Sequence, residues 1–200
     1  MTYVQFKEKF FDQLKIKTLF MGKDFTFGKN GEGNVTYLKK YYDVEILPDI
    51  KKDNKKISSQ AIASLIKEGE IKKANQCLGR PYEIKGRVVS GYHYGKELNF
   101  PTANVRFKYD YVIPRFGVYK VIIYVLGVPH LGIANVGVHP TINALKKPII
   151  EVHIPHFVGN LYHQEVYIEF VNFIRPEKKF KNEKELVNQI KKDIKFIKND

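Results

Sequence analysis

The run Gly117-Val-Tyr-Lys-Val-Ile-Ile-Tyr-Val-Leu126 leaves this chain least choice of structure. β-Branched and aromatic residues dominate it, which suits a pleated, half-buried strand. Gly127-Val-Pro129 then predicts a turn, and His130–Val136 a return strand, so the pair reads as a β-hairpin. Similar runs lie on both sides: Tyr82–Ser90, with Ile84 and Val88-Val89, then Ile149–Phe157 and Glu165–Phe173, joined through Gly159-Asn160. Strands at this spacing, broken by Gly and Pro, predict a closed or nearly closed antiparallel barrel. The last segment, Asn182–Lys198, sets Leu186, Ile190, Ile194 and Ile197 at helical spacing, which predicts an amphipathic helix packed on the barrel.

Residues 1–77 have a different character. Phe6, Phe10, Phe11 and Leu14 share one helical face over residues 4–15. A short buried strand is expected at residues 17–21, then a glycine-rich loop over Asp24–Gly33. Asn34 is placed to cap a helix carrying Tyr37 and Leu38, and Val44–Leu47 reads as a second strand closed by Pro48. Ser58 or Ser59 caps a helix that buries Ile62, Leu65 and Ile66 and stops at Gly69; one more short helix is expected over residues 70–77. Helix and strand alternate as in α/β units, but two strands are too few for an independent sheet. The segment reads as part of a domain, with the boundary near Leu78-Gly79-Arg80-Pro81.

Composition narrows the function classes. No apolar run approaches the roughly 18 to 20 residues of a membrane helix, and Met1–Lys9 has no apolar core of a signal peptide. A single cysteine, Cys77, excludes an intrachain disulfide framework and a multi-cysteine zinc site. A cytoplasmic location is expected. The net charge of +13 suits anionic partners, but the lysines are spread along the chain in short clusters such as Lys51-Lys52 and Lys55-Lys56.

Two stretches carry candidate chemistry. In Asn99-Phe-Pro-Thr-Ala-Asn104, the Thr102 hydroxyl and Asn104 carboxamide point the same way if the backbone is extended. Both are hard oxygen ligands of the kind Mg²⁺ accepts beside phosphate oxygens; Pro, Thr and Asn are equally the residues of a plain turn. Glu151 lies between Ile149-Ile150 and Val152, company in which a carboxylate needs a partner or a role, unless it is the solvent-facing member of an alternating strand. His153 shares the face of Glu151, whereas His156 falls on the opposite face and cannot complete a zinc pair with it.

From Leu78 onward the chain resembles the riboflavin kinase family, in particular the C-terminal module of the bacterial bifunctional riboflavin kinase/FMN adenylyltransferases, also called FAD synthetases. The resemblance rests on Leu78-Gly-Arg-Pro-Tyr82, Gly86-Arg-Val-Val89, Phe100-Pro-Thr-Ala-Asn104, Gly117-Val-Tyr119, Ala134-Asn-Val-Gly137, Glu151-Val-His153, Leu161-Tyr162 and Arg175-Pro-Glu-Lys-Lys-Phe180, in the family's order. It implies a mainly β fold: a six-stranded antiparallel, Greek-key-like barrel with a C-terminal helix over 78–200, preceded by a partial nucleotidyltransferase-like α/β segment over 1–77. It also implies transfer of the ATP γ-phosphoryl group to the ribityl 5′-hydroxyl of riboflavin, giving FMN and ADP.

The resemblance assigns roles. Thr102 and Asn104 would hold Mg²⁺ and the ATP phosphates, with Gly91, Gly95 and Lys96 on the phosphate side; Glu151 would be the general base; Arg175, expected in a loop before the final helix, and Phe180 would meet the flavin. Asn99 stands where the family has glycine. Met21-Gly-Lys-Asp-Phe-Thr-Phe-Gly28 and Ile57-Ser-Ser59 resemble the second half of the adenylyltransferase domain, but no histidine precedes His93 and Gln60-Ala-Ile-Ala63 departs from the pattern after the two serines. FAD synthesis is therefore not expected of this chain alone. Association with a missing adenylyltransferase half, with residual adenylyl transfer, stays open. The rival is a basic barrel that binds nucleic acid or flavin without catalysis; nucleic acid is not expected, since the basic residues do not interleave with aromatics as a stacking platform requires.

Overall fold

The computed structural model describes residues 1–52, 54–90, 100–107, 110–138 and 148–199. They form two compact units, Met1–Ile57 and Ser58–Asp200.

In the first unit, helix α1 (Tyr3–Lys7) continues as a π-helix over Glu8–Asp12. Strand β1 (Thr18–Gly22) pairs in parallel with β4 (Asp43–Leu47). Between them lie the short pair β2 (Thr26–Phe27) and β3 (Gly33–Asn34) and helix α2 (Val35–Leu38), which Asn34 caps by accepting from the Tyr37 amide at 3.0 Å. A lysine hairpin, β5 (Lys51–Lys52) with β6 (Lys55–Lys56), ends the unit. The single helical stripe expected over residues 4–15 is modified. The wider π turn sets Phe6 and Phe11 together around Phe27, Met21 and Leu38, and leaves Phe10 and Leu14 exposed at 38% and 69%.

The second unit is a closed barrel of six antiparallel strands. They are β7 (Tyr82–Val89), β8 (Thr102–Arg106), β9 (Gly117–Val125), β10 (Val128–Val138), β11 (Pro148–His153) and β12 (Glu165–Arg175), ordered β10-β11-β8-β7-β12-β9 with β9 returning to β10. Alternate residues fill the interior: Ile84 and Val88, Ala103 and Val105, Tyr119, Val121 and Ile123, Ala134 and Val136, Ile150 and Val152, Val166, Ile168 and Phe170. The Asn99–Asn104 motif enters a strand from Thr102, so the extended reading holds there and the turn reading does not. The hairpin turn is tighter than Gly127-Val-Pro129. Leu126 and Gly127 alone make it, both at positive φ as a type I′ turn demands, and Pro129 sits within β10 opposite Tyr124. Strand β11 stops at His153, before Ile154-Pro155, rather than running to Phe157.

Helices α3 (Ser59–Glu68, capped by Ser58) and α4 (Ile71–Leu78) lie where helices were expected, but they belong with the barrel. Ile66, Ile71 and Ala74 join the barrel's own core. Asn75 stitches two strands together: its Nδ2 donates to the Phe170 carbonyl at 2.8 Å and its Oδ1 accepts from the Tyr82 amide at 2.8 Å. The compact units therefore divide between Ile57 and Ser58, because the apolar faces of these two helices are buried by barrel residues. None of the described helices is long and apolar enough to cross a membrane.

One glycine lets β7 and β8 approach closely. A Cβ on Gly86 would sit 2.5 Å from Val105 Cγ1 and 2.8 Å from the Arg106 carbonyl oxygen. Backbone cannot yield as a side chain can. Gly86→Ala is expected to lower unfolding stability by about 1–3 kcal/mol, the usual cost of overpacking, measurable by urea denaturation at an unchanged m-value.

Helix α5 (Glu183–Asn199) lies against the outside of the barrel. Its Ile194 and Ile197 meet Val118, Leu131, Ile133 and Ile174 there, as its periodicity predicts.

Candidate active site

The site begins with strand register. Because Ala103 and Val105 face the core, Thr102 and Asn104 face outward. Asn104 is paired with Glu151 on β11, and Thr102 with His153. Glu151 is paired in turn with Asn135 on β10, Asn135 with Val118 on β9, and Val118 with Arg175 on β12. One row around the barrel wall thus carries Asn104, Glu151, Asn135, Val118 and Arg175. Directly opposed side chains on neighbouring strands have Cβ atoms roughly 5 Å apart, so the polar members of this row are neighbours although they are far apart in sequence.

Arg175 reaches the row through irregularity. The pairing of β12 with β9 slips between Phe170 and Asn172 and again between Phe173 and Arg175. Such bulges re-aim side chains. Arg175 is the last residue of β12, not a loop residue as expected. Its guanidinium is engaged by Asp193 of α5: Nε donates to Oδ1 at 3.1 Å and to Oδ2 at 3.0 Å, and Nη2 donates to Oδ2 at 2.8 Å. The guanidinium carbon lies 6.0 Å from the centre of the Phe180 ring.

A cavity of about 320 Å³ opens between this wall and α5, lined by Thr102, Asn135, Glu151, His153, Arg175, Glu177, Phe180 and Asp193 among others. A second, of about 330 Å³, is bounded by Val88, Pro101, Ala103, Val152, Ile154, Phe157 and Leu161, and Thr102 lines it too. Thr102 therefore stands on the border of two separate cavities.

Asn104 is only 7% exposed, and its Oδ1 has no hydrogen-bond partner among the described residues. A buried carbonyl oxygen without a partner is costly, of order 1–3 kcal/mol, and is suited to an electropositive ligand. With the Thr102 hydroxyl on the same face, the donor set is all hard oxygen, as Mg²⁺ requires. His153 supports this edge. Its Nδ1 lies 3.0 Å from the Pro101 carbonyl oxygen, which can only accept, so Nδ1 carries the proton. Phe100 packs edge-on against the ring with centroids 5.4 Å apart, and burial pushes the imidazole pKa below its usual value.

Of the residues singled out in the sequence, Thr102, Glu151, Arg175 and Phe180 line one cavity, and Asn104 adjoins Glu151 across the strands. Gly91, Gly95, Lys96 and Asn99 lie outside the described residues. Asn135, Glu177 and Asp193 were not given roles in the sequence. Asn135 Nδ2 lies 3.5 Å from Glu177 Oε1, and a Cβ on Gly137 would come within 2.3 Å of that oxygen, so Gly137 leaves the space that the carboxylate fills. The signal for Asp193 was available: it is the acid lodged in the apolar stripe of the last helix.

A family model described as riboflavin kinase matches residues 78–200, and one described as FAD synthetase matches residues 1–61. A bifunctional riboflavin kinase/FMN adenylyltransferase from Listeria monocytogenes is 40% identical over 192 residues, and one from Bacillus subtilis is 36% identical over 195. Each match covers 94% of this chain but only 61% and 62% of those proteins, so the chain spans about three-fifths of their length. A solved structure from Streptococcus pneumoniae, described as a macrolide-efflux protein, matches 100% of this chain and 66% of its own, with a TM-score of 0.90 and 30% identity.

Proposed function

The chain belongs to the riboflavin kinase family, and on that premise we propose that residues 78–200 transfer the γ-phosphoryl group of ATP to the ribityl 5′-hydroxyl of riboflavin, releasing FMN and ADP. The observation that carries the reading is Thr102 on the border of two cavities, with Glu151 lining one of them. Two bulky substrates that exchange a phosphoryl group need separate compartments meeting at one point.

Phosphoryl transfer depends on positioning, charge neutralisation and a base for the attacking hydroxyl. Glu151 accepts the proton of the 5′-hydroxyl as that oxygen bonds to the γ-phosphorus and the bond to the ADP oxygen breaks. Thr102 and the unpartnered Asn104 Oδ1 would hold Mg²⁺, which would supply positive charge to the phosphates. The resemblance in sequence gives the phosphate side to Gly91, Gly95 and Lys96, which lie outside the described residues. Arg175 and Phe180 hold the flavin ring between β12 and α5, and His153 fixes the Pro101 carbonyl at the start of the motif.

The FAD synthetase match over residues 1–61 is partial with respect to the bifunctional relatives. FAD formation by this chain alone is not part of the proposal. An added adenylyltransferase half would find parallel-strand edges at β1 and β4 to pair with. Use of ATP as donor fits a cytoplasmic location.

Incubating the full chain with riboflavin and MgATP, followed by chromatography, should yield FMN and no FAD. Absence of FMN, together with salt-sensitive binding to single-stranded RNA, would replace this reading by that of a binding barrel. Appearance of FAD would restore adenylyl transfer to the isolated chain.

A further inference from the structure

Asp193 is out of pattern in its helix. α5 presents an apolar face to the barrel, yet Asp193, at 4% exposure, is buried alongside Ile197, at 1%. A carboxylate in such a position is costly unless it is paired and fully hydrogen-bonded. Here it is both. It takes three contacts from Arg175, at 3.1, 3.0 and 2.8 Å, and its Oδ1 also accepts from Gln189 Nε2, one helical turn earlier, at 2.8 Å. The remaining amino group of Arg175, Nη1, donates to the Pro176 carbonyl at 3.1 Å. Guanidinium carries five N–H donors in a rigid plane. Three of them are used in these contacts, and the plane is fixed. The others remain for a ligand in the cavity that Arg175, Asp193, Glu151 and Phe180 line together.

We propose that Asp193 is a positioning residue for riboflavin: steadied by Gln189, its carboxylate holds the Arg175 guanidinium in the one orientation that offers its remaining N–H groups to the polar edge of the flavin. The proposal rests on the reading of this cavity as the flavin site. It makes α5 a working wall of the site rather than a brace on the barrel. A brace alone would make Asp193 matter for stability and be indifferent to which substrate is tested. A positioning role makes its loss specific to riboflavin and dependent on Arg175.

The test is riboflavin binding by flavin fluorescence, with steady-state kinetics, on the full chain. Asp193→Asn is expected to raise the riboflavin dissociation constant about tenfold, the range for a charge-assisted contact, with the KM for ATP unchanged. Arg175→Ala should lose at least as much, and the double variant no more than Arg175→Ala alone, since the two act as one unit. Wild-type-like riboflavin binding by a folded Asp193→Asn, or losses that multiply in the double variant, would overturn the positioning role. If Asp193→Asn shows no melting transition, Gln189→Ala carries the test: a rise of a few-fold in the same constant supports the proposal, and no change overturns it. A folded wild type that binds no riboflavin removes the flavin reading of the cavity and this proposal with it. Binding by the wild type with insensitive variants removes this proposal alone.

Discussion

Glu151→Gln is expected to lower riboflavin turnover by about 10²–10⁴-fold, the range for loss of a general base, while riboflavin affinity stays within a few-fold of wild type. Gln keeps the size of the side chain and an acceptor oxygen, but it cannot take the hydroxyl proton at neutral pH. The position tolerates the swap sterically because Glu151 faces outward from the barrel, between Ile150 and Val152 that face in. Single-turnover kinetics separates this effect from product release. Full turnover in the variant would remove Glu151 from the chemistry and leave its pairing with Asn104 and Asn135 a matter of strand register alone.

The second large effect should set activity against stability. Asn104→Leu removes the buried Oδ1 that lacks a partner among the described residues and puts an apolar side chain of similar size in its place. Removing donor and acceptor together costs little, so the melting temperature should stay level or rise. Activity should fall by about 10²-fold or more, as for loss of one electrostatic stabiliser of the transition state, and added Mg²⁺ should not restore it. A stable variant with wild-type rate and an unaltered Mg²⁺ dependence would exclude Asn104 as a metal ligand. Asn104→Asp is a poorer test, since it places a second carboxylate directly opposite Glu151 and like charges across a strand pair repel.

Much of the barrel was legible from local pattern. The Gly117–Leu126 run, the period-two burial of Ile84, Val88, Ala103, Val105, Ile150 and Val152, and the spacing of Ile190, Ile194 and Ile197 each report which face meets the core. Helix caps at Asn34 and Ser58 were legible for the same reason, because a side-chain acceptor acts on an amide three residues away. Where local pattern failed, a distant or non-standard contact had won. The π turn at Glu8–Asp12 follows from Phe6 and Phe11 gathering on Phe27 and is invisible to a 3.6-residue period. The helices of residues 59–78 read as α/β partners of the first unit until Ile66, Ile71 and Asn75 are seen to meet the barrel.

The sequence by itself determined five of the six barrel strands and their inward faces, the amphipathic last helix and the residue types available for chemistry, because hydrophobic periodicity and hydroxyl, amide and carboxylate chemistry are local properties. It also put Thr102 with Asn104, and Glu151 with His153, on shared faces, since alternation along a strand is fixed. Only the tertiary structure decided that these pairs are neighbours and that Arg175 stands in the same row. That depends on the closure of six strands into a ring and on two slips in the β12 pairing, neither of which leaves a local trace. The burial of Asp193 against Arg175 is of the same kind: an acid in an apolar stripe is an unexplained letter until the partner that neutralises it arrives from another element.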